Sequence, residues 1–270
     1  DARRRTEELD QRVETLRNLL PAGCAAPAFS PAALMRPEQV EPFAPGQLAV
    51  PIPMPDPAAY QPQQSGWGFG ASRQAQEQAR ARYEHDWRQA QAAEAQRQAQ
   101  LAAYQQQYQQ WAERQLAAIR EHNAGVENLV SALRRGEPDA VVEYFTAALY
   151  ASEGWPDGFP RQVSASFDSA ARQLVLNWEL PGYEVVPEAS IIRYMPGADR
   201  DKEVKRPVSE RRALYRDVLA QCMLLALRDL FAADQFGVLD SVALNGFVDG
   251  TDPATGREAR TFLATAMAER

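Results

Sequence analysis

The sequence predicts an α+β protein in which a long, coiled-coil-like N-terminal helical arm precedes a C-terminal domain with a mostly antiparallel sheet and a long buried helix. Three patterns support this class. Residues 71–124 contain no glycine or proline and are rich in Gln, Ala, Arg and Glu, which favours one continuous helix. Residues 172–180 alternate between apolar and polar side chains, as a half-buried strand does. Residues 208–235 read as a helix whose middle, 219–230, is apolar on almost every side.

The first 70 residues divide into a short helix and a linker. Four apolar residues recur at helical spacing within residues 1–20 and predict an amphipathic helix that Pro21 ends. They are Leu9, Val13, Leu16 and Leu20. Residues 21–70 are predicted to be a Pro/Gly-rich linker, because eleven of the 19 prolines lie between positions 21 and 62. Apolar residues inside the linker, such as Phe43 and Leu48, suggest that it lies against another surface.

Residues 71–135 are predicted to form a long helical arm that carries a heptad-like seam. Nine seam positions follow an alternating spacing of four and three residues. They are Tyr83, Trp87, Ala90, Glu94, Arg97, Leu101, Tyr104, Tyr108 and Trp111. Aromatic side chains replace the usual Leu and Ile, and Glu94 and Arg97 interrupt the apolar pattern. We therefore expect an antiparallel helical hairpin or a strut rather than a strong dimeric zipper.

Residues 136–270 are predicted to form the α+β domain, with the change from the arm placed at 125–136. A helix is expected over 139–150, strands over 162–167, 172–180 and 190–195, and a charged loop over 196–207. After the buried helix at 208–235, two strands over 238–248 and 259–266 are expected to be joined by a Pro-then-Gly turn.

Composition restricts the chemistry of the chain. The 270 residues carry a net charge of −7 and include only two cysteines, Cys24 and Cys222, and two histidines. So few histidines argue against a His-based zinc site or a nucleophile–histidine triad. No window approaches the roughly 18 consecutive apolar residues of a membrane span. We expect a cytoplasmic protein with no membrane contact, no cofactor and no metal.

Residues 193–216 form the main basic cluster. Eight basic and four acidic side chains give this window a charge of +4 within a chain of −7. Such a patch on an acidic protein is suited to contacts with DNA phosphates, which give affinity without reading sequence. The alternative is a solvated loop followed by the basic first turns of a helix. The candidate nucleic-acid-binding residues are Arg193, Arg200, Lys202, Lys205, Arg206, Arg211 and Arg212.

Two other sequence patterns are candidates for a functional site. Asp168 together with Glu203 and Lys205 matches the acid and Glu-x-Lys set of a metal-dependent nuclease. Glu203 lies in a charged, turn-like run rather than on a hydrophobic strand, so we assign no catalytic residue. The glycine-rich stretch 66–70 precedes a helix as phosphate-binding loops do, but no strand precedes it and no Lys-Ser or Lys-Thr follows. A linker is the preferred interpretation.

Several short stretches, taken with their joint spacing, resemble a region of actinobacterial Mrr-type restriction endonucleases. The most extended are EHNAGV at 121–126, GEPDAVVEYF at 136–145, DGFP at 157–160 and DPATG at 252–256. Shorter matches lie at 9–13, 45–48, 172–175, 179–181, 185–187, 193–194, 206–207, 220–221 and 245–246. The similarity covers most of the chain and is strongest over 121–256.

The resemblance implies a restriction or DNA-defence context. In that family DNA cleavage belongs to a separate C-terminal domain with Asp and Gln/Glu-x-Lys metal chemistry, and this chain ends at Arg270, where the non-catalytic portion would end. Where the family pattern has Glu-Thr before its Arg-Pro, this chain has Val204-Lys205, which argues against a functional Glu-x-Lys motif. The resemblance therefore implies that this chain lacks the active site.

These observations together predict the non-catalytic assembly or recognition region of an Mrr-like restriction protein. The expected partners are double-stranded DNA, a nuclease domain in cis or in trans, and a second copy bound through the helical arm. Two alternatives stay open. One is a self-associating coiled-coil scaffold or interaction module with no nucleic-acid role, and the other is the metal-dependent nuclease that uses Asp168, Glu203 and Lys205.

Overall fold

The predicted α+β class is confirmed by a computed structural model, which describes residues 2–61, 73–196, 200–251 and 256–270. The glycine-rich stretch 66–70 and most of the turn at 252–256 lie outside the described residues. The helices are α1 (Ala2–Arg17), α2 (Leu19–Cys24), α3 (Arg73–Arg134), α4 (Pro138–Tyr150) and α5 (Val208–Ala233). The strands are β1 (Val163–Asp168), β2 (Gln173–Glu179), β3 (Ala189–Met195), β4 (Arg200–Lys205), β5 (Ser241–Thr251) and β6 (Glu258–Glu269).

Antiparallel pairs dominate the two sheets, as predicted. The larger sheet has the order β1-β2-β5-β6, in which β2 and β5 are parallel and the two outer pairs are antiparallel. The smaller sheet is the antiparallel pair β3 and β4. The charged run that was expected to be a loop over 196–207 therefore contains a strand. Its charges did not prevent pairing because most of its side chains face solvent on a two-stranded sheet.

Helix α5 lies at the centre of the main hydrophobic core. Its buried residues pack together with Leu174, Leu176 and Trp178 of β2 and with Val242 and Leu244 of β5. Helices α1, α2 and α4 also contact this core, and Val13 and Leu16 of α1 are buried as the helical spacing predicts. The prediction of a helix that is apolar nearly all round and buried holds for most of its middle.

Two helix boundaries differ from expectation. Pro21 does not end a single helix, because α1 already stops at Arg17. Pro21 lies instead in the first turn of the short α2, where backbone N–H groups have no partner within the helix, so a proline without an N–H is tolerated. Gly125 lies inside α3, which continues to Arg134. Two residues beyond its end, Gly136 has a φ of +70° and closes the last turn in a conformation that glycine adopts without strain.

The chain divides into two compact units. One consists of Asp1–Met35 with Asn123–Arg270, and the other is Arg36–His122. The divisions expected at residues 20, 70 and 135 do not coincide with these units. The first helix belongs with the α+β domain because its apolar stripe is buried there. Residues 21–35 of the linker also belong to that unit, whereas its described residues from 36 onward belong with the arm and contact α3.

Within the second unit, residues 38–60, here called the strap, run antiparallel to α3. Glu38 pairs with Arg120 at 2.8 Å, and Tyr60 donates a hydrogen bond to Asp86 at 2.7 Å. Between these ends, the Phe43 ring lies 5.2 Å from the rings of both Tyr104 and Tyr108. The surface against which the linker was expected to lie is therefore the heptad-like seam of α3.

The strap accounts for the two charged residues that interrupt the seam. Glu94 accepts a hydrogen bond from the backbone N–H of Ile52 at 2.9 Å, and Arg97 donates to the carbonyl oxygen of Leu48. The two side chains pair with each other at 2.6 Å and are only 15% and 13% exposed. An extended chain has backbone donors and acceptors to satisfy, whereas a partner helix satisfies its own. A polar pair in the seam therefore matches an extended partner.

We expect the middle of the strap to loosen in acid. Arg97, together with the Ile52 N–H, lowers the pKa of Glu94 from 4.5 to about 2. A carboxyl group whose pKa is lower in the folded state contributes stability that is complete well above its unfolded pKa and is lost as pH falls through the folded pKa. Amide-exchange protection at Ile52, corrected for the intrinsic rate, should be constant above about pH 5.5 and should fall towards pH 2. In a Glu94→Gln variant this pH dependence should disappear, and its persistence would contradict the assignment.

A second prediction concerns the close approach of two glycines in the first unit. A Cβ atom added to Gly154 would lie 2.6 Å from the Cα of Gly23, so backbone would have to move. Gly154→Ala should therefore destabilise the protein by about 1–3 kcal/mol in denaturant unfolding. Gly125→Ala is the matched control, because nothing lies within 4 Å of its added Cβ inside α3, and it should stabilise by about 0.5–1 kcal/mol. Equal effects of the two substitutions would show that the glycine contact is not close.

Candidate nucleic-acid interface

The β3–β4 pair separates its charges onto two faces. Side chains of residues directly opposite each other in an antiparallel pair lie on the same face, and successive residues alternate. The register places Arg193 opposite Lys202 and Met195 opposite Arg200 on one face, and Ile192 opposite Glu203 and Tyr194 opposite Asp201 on the other. We call the side chains of Arg193, Arg200 and Lys202 the basic face. Both acidic residues of β4 therefore lie on the opposite face.

Helix α1 supplies one cation that pairs with both of these acidic residues. Arg5 pairs with Asp201 at 3.1 Å and with Glu203 at 3.3 Å. Thr6 fixes the helix against β3, because its hydroxyl accepts from the Ile192 N–H at 3.0 Å and lies 3.1 Å from the Ile192 carbonyl oxygen. Arg5 and Thr6 were not among the predicted site residues. The arginine run at 3–5 was a possible signal, but its acidic partners are about 200 residues away in sequence.

The basic face is open to solvent. Arg193, Arg200 and Lys202 are exposed, and within the part of the chain that the structure describes none of them pairs with a carboxylate. Ile191 and Met195, which share this face, are 38% and 43% exposed. The face thus combines three cations with two exposed apolar side chains.

Arg206 and Arg211 belong to the structure of the domain rather than to this face. The Arg206 side chain is 6% exposed and pairs with Glu210 on the next turn of α5. Arg211 donates to the Val186 carbonyl oxygen at 3.0 Å and lies over the Tyr183 ring at 4.2 Å. A phosphate could reach either guanidinium only if these contacts were broken. The four-residue spacing from Arg206 to Glu210 was the available sequence signal for this pairing.

Lys205 and Arg212 are exposed but lie elsewhere. Lys205 follows the alternation of Asp201 and Glu203, so it lies off the basic face, and Arg212 lies in the second turn of α5. The seven predicted residues therefore form three groups: the basic face, two exposed flanking residues, and two arginines held by intramolecular contacts.

Among the described residues, Asp168, Glu203 and Lys205 do not form the metal centre that the nuclease alternative requires. Asp168 ends β1 in the larger sheet, where its carboxylate accepts from the backbone N–H groups of Ala170 at 2.9 Å and Ala171 at 3.2 Å. Glu203 lies in the smaller sheet and pairs with Arg5. In the described ranges, no group of three or more His, Cys, Asp or Glu side chains is arranged to hold a metal ion. Asp168 has the geometry of a turn-capping residue.

Two further features bear on the chemistry. Burial raises the pKa of the Cys222 thiol to about 12, which keeps it protonated at neutral pH. A cleft of about 330 Å³ between α1 and the loop at 156–159 is lined by apolar side chains together with Arg12, Thr15 and Asp157. Among its lining residues there is no histidine or cysteine. As for the bilayer, no helix in the described residues is both long enough and apolar enough to cross it.

Comparison with known proteins gives no relative for this chain. No family model matches it, and neither a curated protein nor a solved structure is significantly similar to it.

We expect the Thr6 hydroxyl to hold α1 against the β3–β4 pair. Thr6→Val keeps the shape of the side chain but leaves the Ile192 N–H without its acceptor, which should lower the free energy of unfolding by about 1 kcal/mol. Thr6→Ser keeps the oxygen and should restore the contact. Hydrogen exchange of the Ile192 amide should be faster in the valine variant and near wild type in the serine variant. Unchanged exchange in Thr6→Val would contradict this assignment.

Proposed function

We propose that this chain is a non-catalytic recognition region that binds double-stranded DNA through the basic face of β3 and β4. The observation that supports the proposal is the separation of charge in this pair of strands, because both acidic side chains of β4 lie on the face that Arg5 contacts while three cations remain open on the other face. A two-stranded antiparallel ribbon is narrow enough to lie along a DNA groove, with its cations near the phosphates.

The chain as a whole is acidic, so the binding surface has to be local. A net charge of −7 repels DNA at long range, but at physiological ionic strength this repulsion is screened beyond about 8 Å. Three neighbouring cations at the surface then contribute phosphate contacts that give affinity without sequence information. Ile191 and Met195 add apolar contact area beside them.

The wider context of the proposal is a restriction or DNA-defence system. It rests on the resemblance of the chain to Mrr-type proteins, in which a separate domain cleaves DNA. A nuclease domain in cis or in trans would then supply the chemistry that this chain lacks, in a cytoplasmic compartment. Reading the DNA sequence or a modified base would require residues beyond the phosphate contacts assigned to the basic face.

The proposal is tested by removing the basic face. The triple variant Arg193→Ala, Arg200→Ala and Lys202→Ala should bind a 30-base-pair duplex more weakly than the wild type in fluorescence anisotropy at low salt. If each residue neutralises one phosphate, the slope of log K against log salt should become shallower by about 2.7. The control is Arg17→Ala, Arg82→Ala and Arg114→Ala, which removes the same charge from exposed positions that are not part of β3 or β4.

Three results would contradict the proposal. The first is that the wild type does not bind duplex DNA at low salt. The second is that the control triple variant loses as much affinity as the basic-face variant. The third is that vesicles containing anionic lipid bind the basic face while DNA does not, which would assign the cations and the two apolar side chains to a membrane surface.

A further inference from the structure

The seam of α3 has a symmetry that plays no part in its contacts with the strap. The first eight of its nine positions, from Tyr83 to Tyr108, are spaced symmetrically about the midpoint between Glu94 and Arg97, and the ninth, Trp111, mirrors Arg80. When two copies of α3 are placed antiparallel about this midpoint, Glu94 faces Arg97 of the second copy, and Ala90 faces Leu101. On either side, Trp87 faces Tyr104, and Tyr83 faces Tyr108.

The charges favour this antiparallel arrangement over a parallel one. In the antiparallel pairing each glutamate meets an arginine, so two opposite-charge pairs lie at the centre. In a parallel, in-register pairing each glutamate would meet a glutamate and each arginine an arginine, which is unfavourable. The seam therefore contains a charge pattern that selects a partner orientation as well as a partner.

The sizes of the side chains also favour the antiparallel arrangement. Ala90, the smallest residue of the seam, faces Leu101, so a large side chain meets a small one. Trp87 and Tyr104, which would face each other, remain 39% and 42% exposed in the presence of the strap. The strap thus leaves partly exposed two of the aromatic side chains that a second helix would cover.

The arm is also close to neutral. Residues 36–122 carry eight basic and nine acidic side chains, so most of the negative charge of the chain lies outside them. Two copies of this unit therefore experience little net repulsion. In addition, none of its described residues is fully buried, which means that the strap and α3 enclose no dry core.

We propose that the seam of α3 is a self-complementary surface for the α3 helix of a second copy in antiparallel orientation, and that the strap masks it. The strap and the second helix compete because Glu94 and Arg97 serve both. When the strap is bound, Glu94 and Arg97 form hydrogen bonds with the Ile52 N–H and the Leu48 carbonyl oxygen. When the strap is released, each of the two side chains pairs with the oppositely charged side chain of the second copy. The proposal is independent of any DNA contact.

Exchanging the charges of Glu94 and Arg97 distinguishes release of the strap from pairing of two α3 helices. The variant Glu94→Arg with Arg97→Glu can neither accept from Ile52 nor donate to Leu48, so it should release the strap, while opposite charges still meet across the antiparallel pair. Glu94→Arg alone should also release the strap, but it places four positive charges at the centre. In sedimentation equilibrium of the full chain, the double variant should dimerise at least about tenfold more tightly than the single variant.

Amide exchange at Ile52 reports the strap independently of the oligomeric state, and the wild type should be monomeric with Ile52 protected. The matched control is Glu84→Arg with Arg88→Glu, an exposed ion pair of α3 whose positions and mirror positions lie outside the seam, and it should behave as the wild type. The proposal is overturned if the double variant releases its strap and stays monomeric, or if the single variant dimerises equally well. It is also overturned if the wild type dimerises through α3 while Ile52 remains protected.

Discussion

Burial of most of the apolar middle of α5, residues 219–230, is the constraint on which the first unit depends. A helix that is apolar on nearly every side has to be covered from several directions, and neither the sheet nor α4 alone can do this. Helices α1 and α2 complete the cover, with Gly23 close against Leu225 and the Leu20 N–H bonded to Gln221. Because α1 is held in this position, Arg5 reaches β4, and the arrangement of charge on the candidate interface follows from the packing of the core.

A different constraint governs the second unit, where an extended segment lies along a helix without a dry core. Backbone N–H and C=O groups of the strap require partners, and Glu94, Arg97 and Tyr108 supply some of them from the seam. The aromatic contacts of Phe43 and Tyr60 add apolar area at separate points. A surface built in this way holds its partner by a few separate contacts, so it is well suited to exchange one partner for another.

Much of the fold could be predicted because periodicity is a local property. The long helix, α4, α5 and all the strands except β4 follow from spacing and turn residues, usually within three residues of their ends. The strand β4 was missed because it has no apolar alternation: its pairing with β3 depends on register and on α1, which sequence patterns do not encode. The spacing also identified the seam but not its partner, since an extended chain of prolines leaves no periodic signal.

The candidate site shows the same limit in its charges. A window of +4 directed the prediction to residues near 200, yet counting charges could not separate cations that face solvent from Arg206 and Arg211, which are held by nearby acceptors. Two of the four acidic residues in the window, Asp201 and Glu203, lie on β4, and their alternation places both on the face that Arg5 contacts. What matters for binding an anion is the charge of one face, and this depends on strand register and on a partner helix about 200 residues away.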